Sequence, residues 1–355
     1  MQLTLKTFLP LELVFNPNWW YHTAGIAFDE NFYLDAATRI KNDVTMRRVL
    51  HERYGALGLG EANPQPRPII GSLHVAGGFC IPALLGARIR FGANAAPQPE
   101  PMHLTLEQIK ALEMPDWRNQ WPMKQLIADM DSLQAQYGYV VGDLNTDGLL
   151  NAAYHFYGAD LFADFYDAPD RVRRLLELIA ELITDIAEYI HRRTGSYSIA
   201  VNRMAENLTP APFIHANCSV QMISPKSYRA MQLPIEQRMA ERLAPYGIHH
   251  CGSNTHVVAS EYAKLPVTFV DVGWGSDVAR CRELLPNAFL NLRLNPVRML
   301  NCTPHEIAED TEGLLRSAGP LDRAGICCIN MDAGTPDDNI SAMFEVVQRY
   351  RRYGA

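Results

Sequence analysis

The 355-residue sequence predicts a closed (β/α)8 barrel with an N-terminal helical extension. Short apolar runs alternate with longer amphipathic stretches through the second half, the pattern of parallel strands joined by crossover helices. About eight strand candidates can be counted, the number with which such a barrel closes. No strand candidate is followed by the Gly-rich turn of a dinucleotide-binding sheet, so an open doubly wound sheet is the second choice. A hydrophobic content of 48% is ample for one large core.

In chain order, residues 1–65 form the extension. Its aromatic group Trp19-Trp20-Tyr21-His22 either lines the barrel mouth or plugs its lower end. From Asn31 to Tyr54, Phe32, Ala36, Ile40, Val44, Val49 and Leu50 recur at helical spacing, and Gly55 closes the helix. Residues 64–101, rich in Gly and Pro, read as strand and loop. A helical pattern over Trp117 to Tyr137 leads into the apolar run Tyr139-Val140-Val141-Gly142. The regular alternation then begins with a helix at 168–193, strands at 198–201 and 213–216, and a helix at 226–243. A strand at 246–250, a helix at 253–264, a strand at 267–272 and a helix at 277–285 follow. The last units are a strand at 289–292, a helix at 304–318, a strand at 325–330 and a helix at 336–350. Neither a repeat nor a linker divides the chain, so residues 1–355 read as a single domain.

A net charge of −7 and a pI near 5.9 argue against nucleic-acid or anionic-membrane partners and favour a small-molecule function. Met1 to Leu13 lacks the charged leader and long apolar run of a signal peptide, and no apolar stretch is long enough to span a bilayer. Seven cysteines without a short-spaced framework read as the reduced thiols of a cytoplasmic protein.

The strongest chemical signal is Ile248-His249-His250-Cys251-Gly252, taken with Cys327-Cys328 far downstream. His249 and Cys251 are one residue apart, so in an extended segment both side chains leave the same face and can grip one ion. A third ligand then leaves one zinc position open, the arrangement of a catalytic site. Only one of Cys327 and Cys328 can face the barrel interior, and Cys328 is the favoured one. His250 points to the opposite side. Asp271 and Asn295 follow their strands at the rim where such barrels keep their chemistry. Asp143, with Asn145 and Asp147, and Asn202, with Arg203 and Glu206, occupy comparable loop positions. So does Asn217, within His215-Ala216-Asn217-Cys218-Ser219. Asp143, Asn202 and Asn217 are therefore candidate substrate contacts, with helix capping or an exposed loop as the plainer alternative. Cys80, Cys281 and Cys302 read as packing or surface thiols.

Leu84 to Phe91 with Ala96-Pro97, Ile223-Ser224-Pro225, the His-x-Cys-Gly strand end and Asp271-Val272-Gly273-Trp274, taken in this order, resemble segments of the uroporphyrinogen decarboxylase superfamily, and within it of the zinc-bearing corrinoid-dependent methyltransferases. Leu292-Arg293-Leu294-Asn295-Pro296 stands where the family usually has Gly-Asn-x-Asp-Pro, and Thr335 to Asn339 matches a Thr-Pro-x-x-Asn helix start. The tetrapyrrole-binding Met-Arg-Gln-Ala-Gly-Arg pattern of the true decarboxylases is absent. After Lys6 the chain has no cation until Arg39, which cannot supply a site for many carboxylates.

The resemblance implies a TIM-type barrel and a zinc ion held by His249, Cys251 and a distant cysteine. It further implies methyl transfer from methylcobalamin or another corrinoid, supplied by a partner protein, to a zinc-activated thiol. In the family the second cysteine stands in a Gly-Cys pair, where this chain has Asp332-Ala333-Gly334. Either Cys328 reaches the metal, or Asp332 supplies an oxygen, or the metal site is degraded. The alternatives are a metal-free relative binding a pterin such as tetrahydrofolate through Asp271, Asn295 and Asp332, a decarboxylase of a smaller acid, and a non-catalytic barrel binding a corrinoid or a partner.

Overall fold

In a computed structural model, the structure describes residues 3–71, 73, 78–197 and 203–353. Its centre is a curled six-stranded parallel sheet: β1 (Leu11–Phe15), β2 (Phe213–Ala216), β3 (Tyr246–His250), β4 (Val267–Val272), β5 (Phe289–Leu294) and β6 (Ala324–Met331). The spatial order is β1-β6-β5-β4-β3-β2, so the last strand inserts beside the first. Between β1 and β2 the circuit is continued by Ile69, which bridges Val141 in parallel, and by the segment after Val141. That segment runs against β2 so closely that a Cβ on Gly148 would lie 1.8 Å from the Ala216 carbonyl. The fold is thus a TIM-type barrel, with six strands and the Ile69–Val141 bridge in its wall among the described residues. The expected strand at 198–201 lies outside the described residues.

Two apolar layers follow from side-chain alternation. Leu290, Leu292 and Leu294 of β5, with Ile326 and Cys328 of β6, pack outward among the helices. Phe289, Phe269, Ile214, Cys327 and Ile329 form a separate cluster inside the barrel. Along β4 and β5 the interior positions change from Phe269 and Phe289 to Asp271, Asn291 and Arg293, so these strands turn polar toward their C-terminal ends. At the opposite end Thr4–Leu5 pairs antiparallel with Leu208–Thr209, and Leu3 and Leu5 pack against the inner cluster.

The helices cover the sheet with amphipathic faces. The longest, Pro169–Thr194, buries Val172, Leu175, Leu176, Ile179, Leu182, Ile183 and Ile186 on one side, ending at Gly195 with a φ of 73°. The helix expected over 31–54 is two, Glu30–Leu34 and Ala36–Tyr54, because Asp35 ends one and caps Thr38 N of the next. The helix expected over 226–243 is split at Gln232, ahead of Pro234, into Pro225–Met231 and Leu233–Arg242. Trp19 and Trp20 belong to the outer apolar layer and not to the cluster inside the barrel. They are buried in helix α1 (Pro17–Ala24), where Trp19 stacks on Phe15 at 4.0 Å. No helix among the described residues is long and apolar enough to cross a membrane.

The turn after β4 is held tightly to the turn after β3. Gly273 N donates to Thr255 Oγ1 at 3.1 Å, and a Cβ on Gly273 would meet the Gly252 carbonyl at 1.9 Å. Gly273→Ala must push one turn away from the other. Its expected loss of stability is about 3 kcal/mol, the upper end for overpacking, measurable as a lowered urea midpoint.

Candidate metal centre

Strands β2 and β3 are parallel neighbours, with Ala216 opposite His249, and Asn217 N donates to the His249 carbonyl at 2.7 Å. Two residues further along each strand come Cys218 and Cys251, which therefore meet side by side. One ligand atom from each of Cys218, His249 and Cys251 lies within 4.8 Å of the other two. His249 is buried and both cysteines are partly buried at the C-terminal rim.

Around this triad the side chains are fixed by hydrogen bonds. His249 Nδ1 pairs with Asp271 Oδ2, and Asn291 Nδ2 donates to the other Asp271 oxygen at 2.6 Å. With Nδ1 so engaged, Nε2 is left for Cys251. Burial opposes charge on His249, but the hydrogen bond and charge of Asp271, with the bond to Cys251, outweigh it and raise the pKa to about 9. The hydrogen bond from Cys218, then His249 and Arg293, pull the Cys251 thiol well down against the effect of burial. The hydrogen bond to Cys251 and burial push the Cys218 thiol up. Two thiols beside an imidazole are a soft donor set.

The donors fit zinc. Bond lengths of about 2.3 Å to sulfur and 2.0 Å to nitrogen imply donor separations of roughly 3.5 Å in a tetrahedron. Side chains already within 4.8 Å reach that by small rotations. Asp271 behind the imidazole supplies the carboxylate–histidine arrangement that fixes tautomer and ring orientation.

The other expected site residues are placed as follows. Cys328 faces the outer apolar layer, its Sγ 4.0 Å from the Leu294 carbonyl, while Cys327 faces inward and accepts from Asn291 Nδ2 at 3.2 Å. The favoured parity of the pair is thereby corrected. Asp332 accepts from Asn18 of α1 at 2.8 Å and is also outside the triad. The donor found with His249 and Cys251 is Cys218. Asn295 caps the following helix through Val297 N at 2.9 Å. Asn217 is buried, bonded by its side chain to Glu236 and Gln232 at 3.0 and 2.8 Å, and so ties β2 to a helix. Asp143 is buried and pairs with Arg203 at 3.1 Å. Asn202 lies outside the described residues. His250 turns outward to Tyr262 and Asn254, at 2.8 and 3.0 Å. Thus Asp271, Asn295 and Asp332 are engaged by three different sets of partners.

Sequence reasoning passed over Cys218, Arg293 and Glu12. Across the sheet Glu12 pairs in register with Cys327, and Cys327 with Arg293, so the three share one row of the barrel wall. Glu12 accepts from Arg203 N through one oxygen, while its other oxygen has no partner. Burial, only partly offset by the Arg203 N–H, raises its pKa to about 8.

Cys218→Ala and Cys251→Ala are expected to abolish zinc retention after dialysis, whereas Cys328→Ala keeps it. Asp271→Asn should weaken zinc binding roughly 10- to 100-fold. The neutral form of Glu12 supports folding fully below its ordinary pKa of 4.5, and that support is lost as pH rises through about 8, with a slope of up to ~1.4 kcal/mol per pH unit. Urea unfolding across this window should therefore show wild type losing stability relative to Glu12→Gln as pH rises.

Comparison with known proteins adds the lineage. A search of curated proteins found no match. Among solved structures, a methyltransferase from Methanosarcina mazei is similar with a TM-score of 0.65 at 14% identity, over 97% of this chain and 94% of that one. A B12-independent methionine synthase from Shewanella sp. W3-18-1, in complex with selenomethionine, has a TM-score of 0.52 at 12% identity, over 98% of this chain and 100% of that one. At such identities the likeness speaks for the fold. The family model described as uroporphyrinogen decarboxylase (URO-D) matches residues 77–350. With most of its length matched by that model, the chain belongs to the uroporphyrinogen decarboxylase family.

Proposed function

We propose that this chain is a methyltransferase that moves a methyl group from a corrinoid, carried by a separate protein, to a small thiol bound at the Cys218/His249/Cys251 centre. The observation that carries the reading is the convergence of two thiols and one imidazole within 4.8 Å at the C-terminal rim. Three protein donors leave a fourth zinc position for an acceptor. The names of the two fold neighbours, a methyltransferase and a methionine synthase, support the same class of chemistry.

Each side chain has a defined task. Cys218, His249 and Cys251 would hold the metal, which would supply the positive charge that keeps a thiol deprotonated at neutral pH. Asp271 holds the proton on His249 Nδ1, leaving Nε2 to face the cysteines, and Asn291 fixes Asp271 in turn. The remaining work is orientation. Sulfur attack on a methyl carbon is in-line, and the leaving group departs without a proton, so no general acid is required. Asp271 is bonded to His249, Asn295 to Val297 N and Asp332 to Asn18, which favours the thiol reading over the pterin alternative.

The test is methyl transfer by zinc-loaded protein from methylcobalamin, and in parallel from methyltetrahydrofolate, to a mercaptan, followed by mass spectrometry of the S-methyl product. Product from methylcobalamin, lost in Cys218→Ala and Cys251→Ala, is expected. Product from the folate donor alone would replace the corrinoid, and zinc-replete protein that yields none from either would overturn the reading.

A further inference from the structure

Cys218 and Cys251 differ from the other cysteines in their access to solvent and to each other. Cys80, Cys281, Cys327 and Cys328 are buried, and Cys302 is a partly buried thiol just past the helix Pro296–Asn301. Cys327 and Cys328 are neighbours in sequence, but they face opposite sides of β6 and their sulfurs are kept apart. Cys218 and Cys251 are both only partly buried at the rim, and their thiols are hydrogen-bonded to each other.

The backbone is already placed for a covalent link between them. Ala216 and His249 are register partners on adjacent parallel strands, and the Asn217 N–H donates to the His249 carbonyl at 2.7 Å, so the ladder runs up to the two cysteines. Adjacent strands lie about 4.8 Å apart, within the Cα separation of roughly 4.4 to 6.8 Å that a disulfide spans. Two sulfurs on one tetrahedral zinc stand at least about 3.5 Å apart, whereas those of a disulfide stand about 2.05 Å apart. One pair of cysteines cannot satisfy both. Metal and disulfide are therefore alternative states of the same centre, and in the oxidised state His249 is left as the single donor of the three, too few to retain zinc.

Building on the metal reading of the proposed function, we propose that Cys218 and Cys251 form a site of reversible oxidation, at which a hydroperoxide closes a disulfide, expels the zinc and switches the centre off. One cysteine sulfur attacks a peroxide oxygen: the S–O bond forms, the O–O bond breaks and, from hydrogen peroxide, the departing hydroxide leaves as water on taking a proton. The second sulfur then attacks the first, the S–S bond forms and the S–O bond breaks, and a second water leaves. The two sulfurs together lose two electrons, which reduce the peroxide. The two protons come from the thiols themselves, or from solvent where zinc has already displaced them. A dithiol reverses the step by exchange, giving back both thiols and becoming a disulfide itself.

Treatment of zinc-loaded wild type with hydrogen peroxide tests this, with a chromogenic chelator reading zinc release and non-reducing peptide mapping reading the cross-link. A Cys218–Cys251 disulfide is expected, with about one zinc released per cross-link, and dithiothreitol with added zinc should restore the loaded protein. Cys302→Ser should behave as wild type. Zinc release accompanied by separate sulfinic acids, or by cross-links to other cysteines, overturns the proposal. The wild-type series alone decides, so no cysteine variant of the centre needs to fold. The same mapping keeps the two readings apart. A Cys218–Cys251 cross-link in metal-replete protein that never held zinc sinks the metal reading and keeps the oxidation site, whereas zinc-holding protein that gives no cross-link does the reverse.

Discussion

The parallel pairing of β2 with β3, Ala216 opposite His249, is the constraint on which the centre depends. A strand register is quantised: a slip by one residue turns every side chain to the other face. In the observed register the two strand ends carry Cys218 and Cys251 in step, and the Asn217 N–H to His249 carbonyl bond extends the ladder one residue past the strand. Slipped by one, the pair would present Asn217 or Ser219 in place of a cysteine at the candidate metal centre. The outer surface guards the register, since Asn217, Gln232 and Glu236 form a buried hydrogen-bonded set that can be satisfied in only one alignment.

Behind the triad, charge is stored in a graded way. Asp271 is buried and divided between His249 and Asn291, while Glu12 is held toward its neutral form by burial. Arg293 then stands as a buried cation among sulfur atoms, on the same wall as Cys327. In a low-dielectric interior such groups act over longer distances than in water. The polar strand ends therefore form an electrostatic environment assembled before any ligand arrives, and preorganisation of this kind is what catalytic sites exploit.

The barrel, the helix–strand alternation and the pairing of His249 with Cys251 were legible in the sequence because each rests on local periodicity. Cys218 was not, although its segment was noticed as a polar strand end. Its role depends on which strand lies next to β2 and in what register, and neither is encoded within either strand. Cys327 and Cys328 show a second limit. A parallel strand buried on both faces reads as continuous apolar sequence, so alternation says that one cysteine faces inward without fixing which. The phase was readable only next door, where Leu290, Leu292 and Leu294 alternate with Asn291 and Arg293. Asn295 and Asp332 were selected for polarity at strand ends, the same property that makes a good helix cap or loop tie.

The insertion of β6 between β5 and β1 divides the interior by distance along the chain. The three candidate donors and Asp271 belong to consecutive β/α units, so the candidate centre draws on one contiguous stretch of the chain. The Glu12–Cys327–Arg293 row joins the two extremes of the chain. The donor set is thus local to three consecutive strands, while the row opposite ties together segments more than 300 residues apart in the chain.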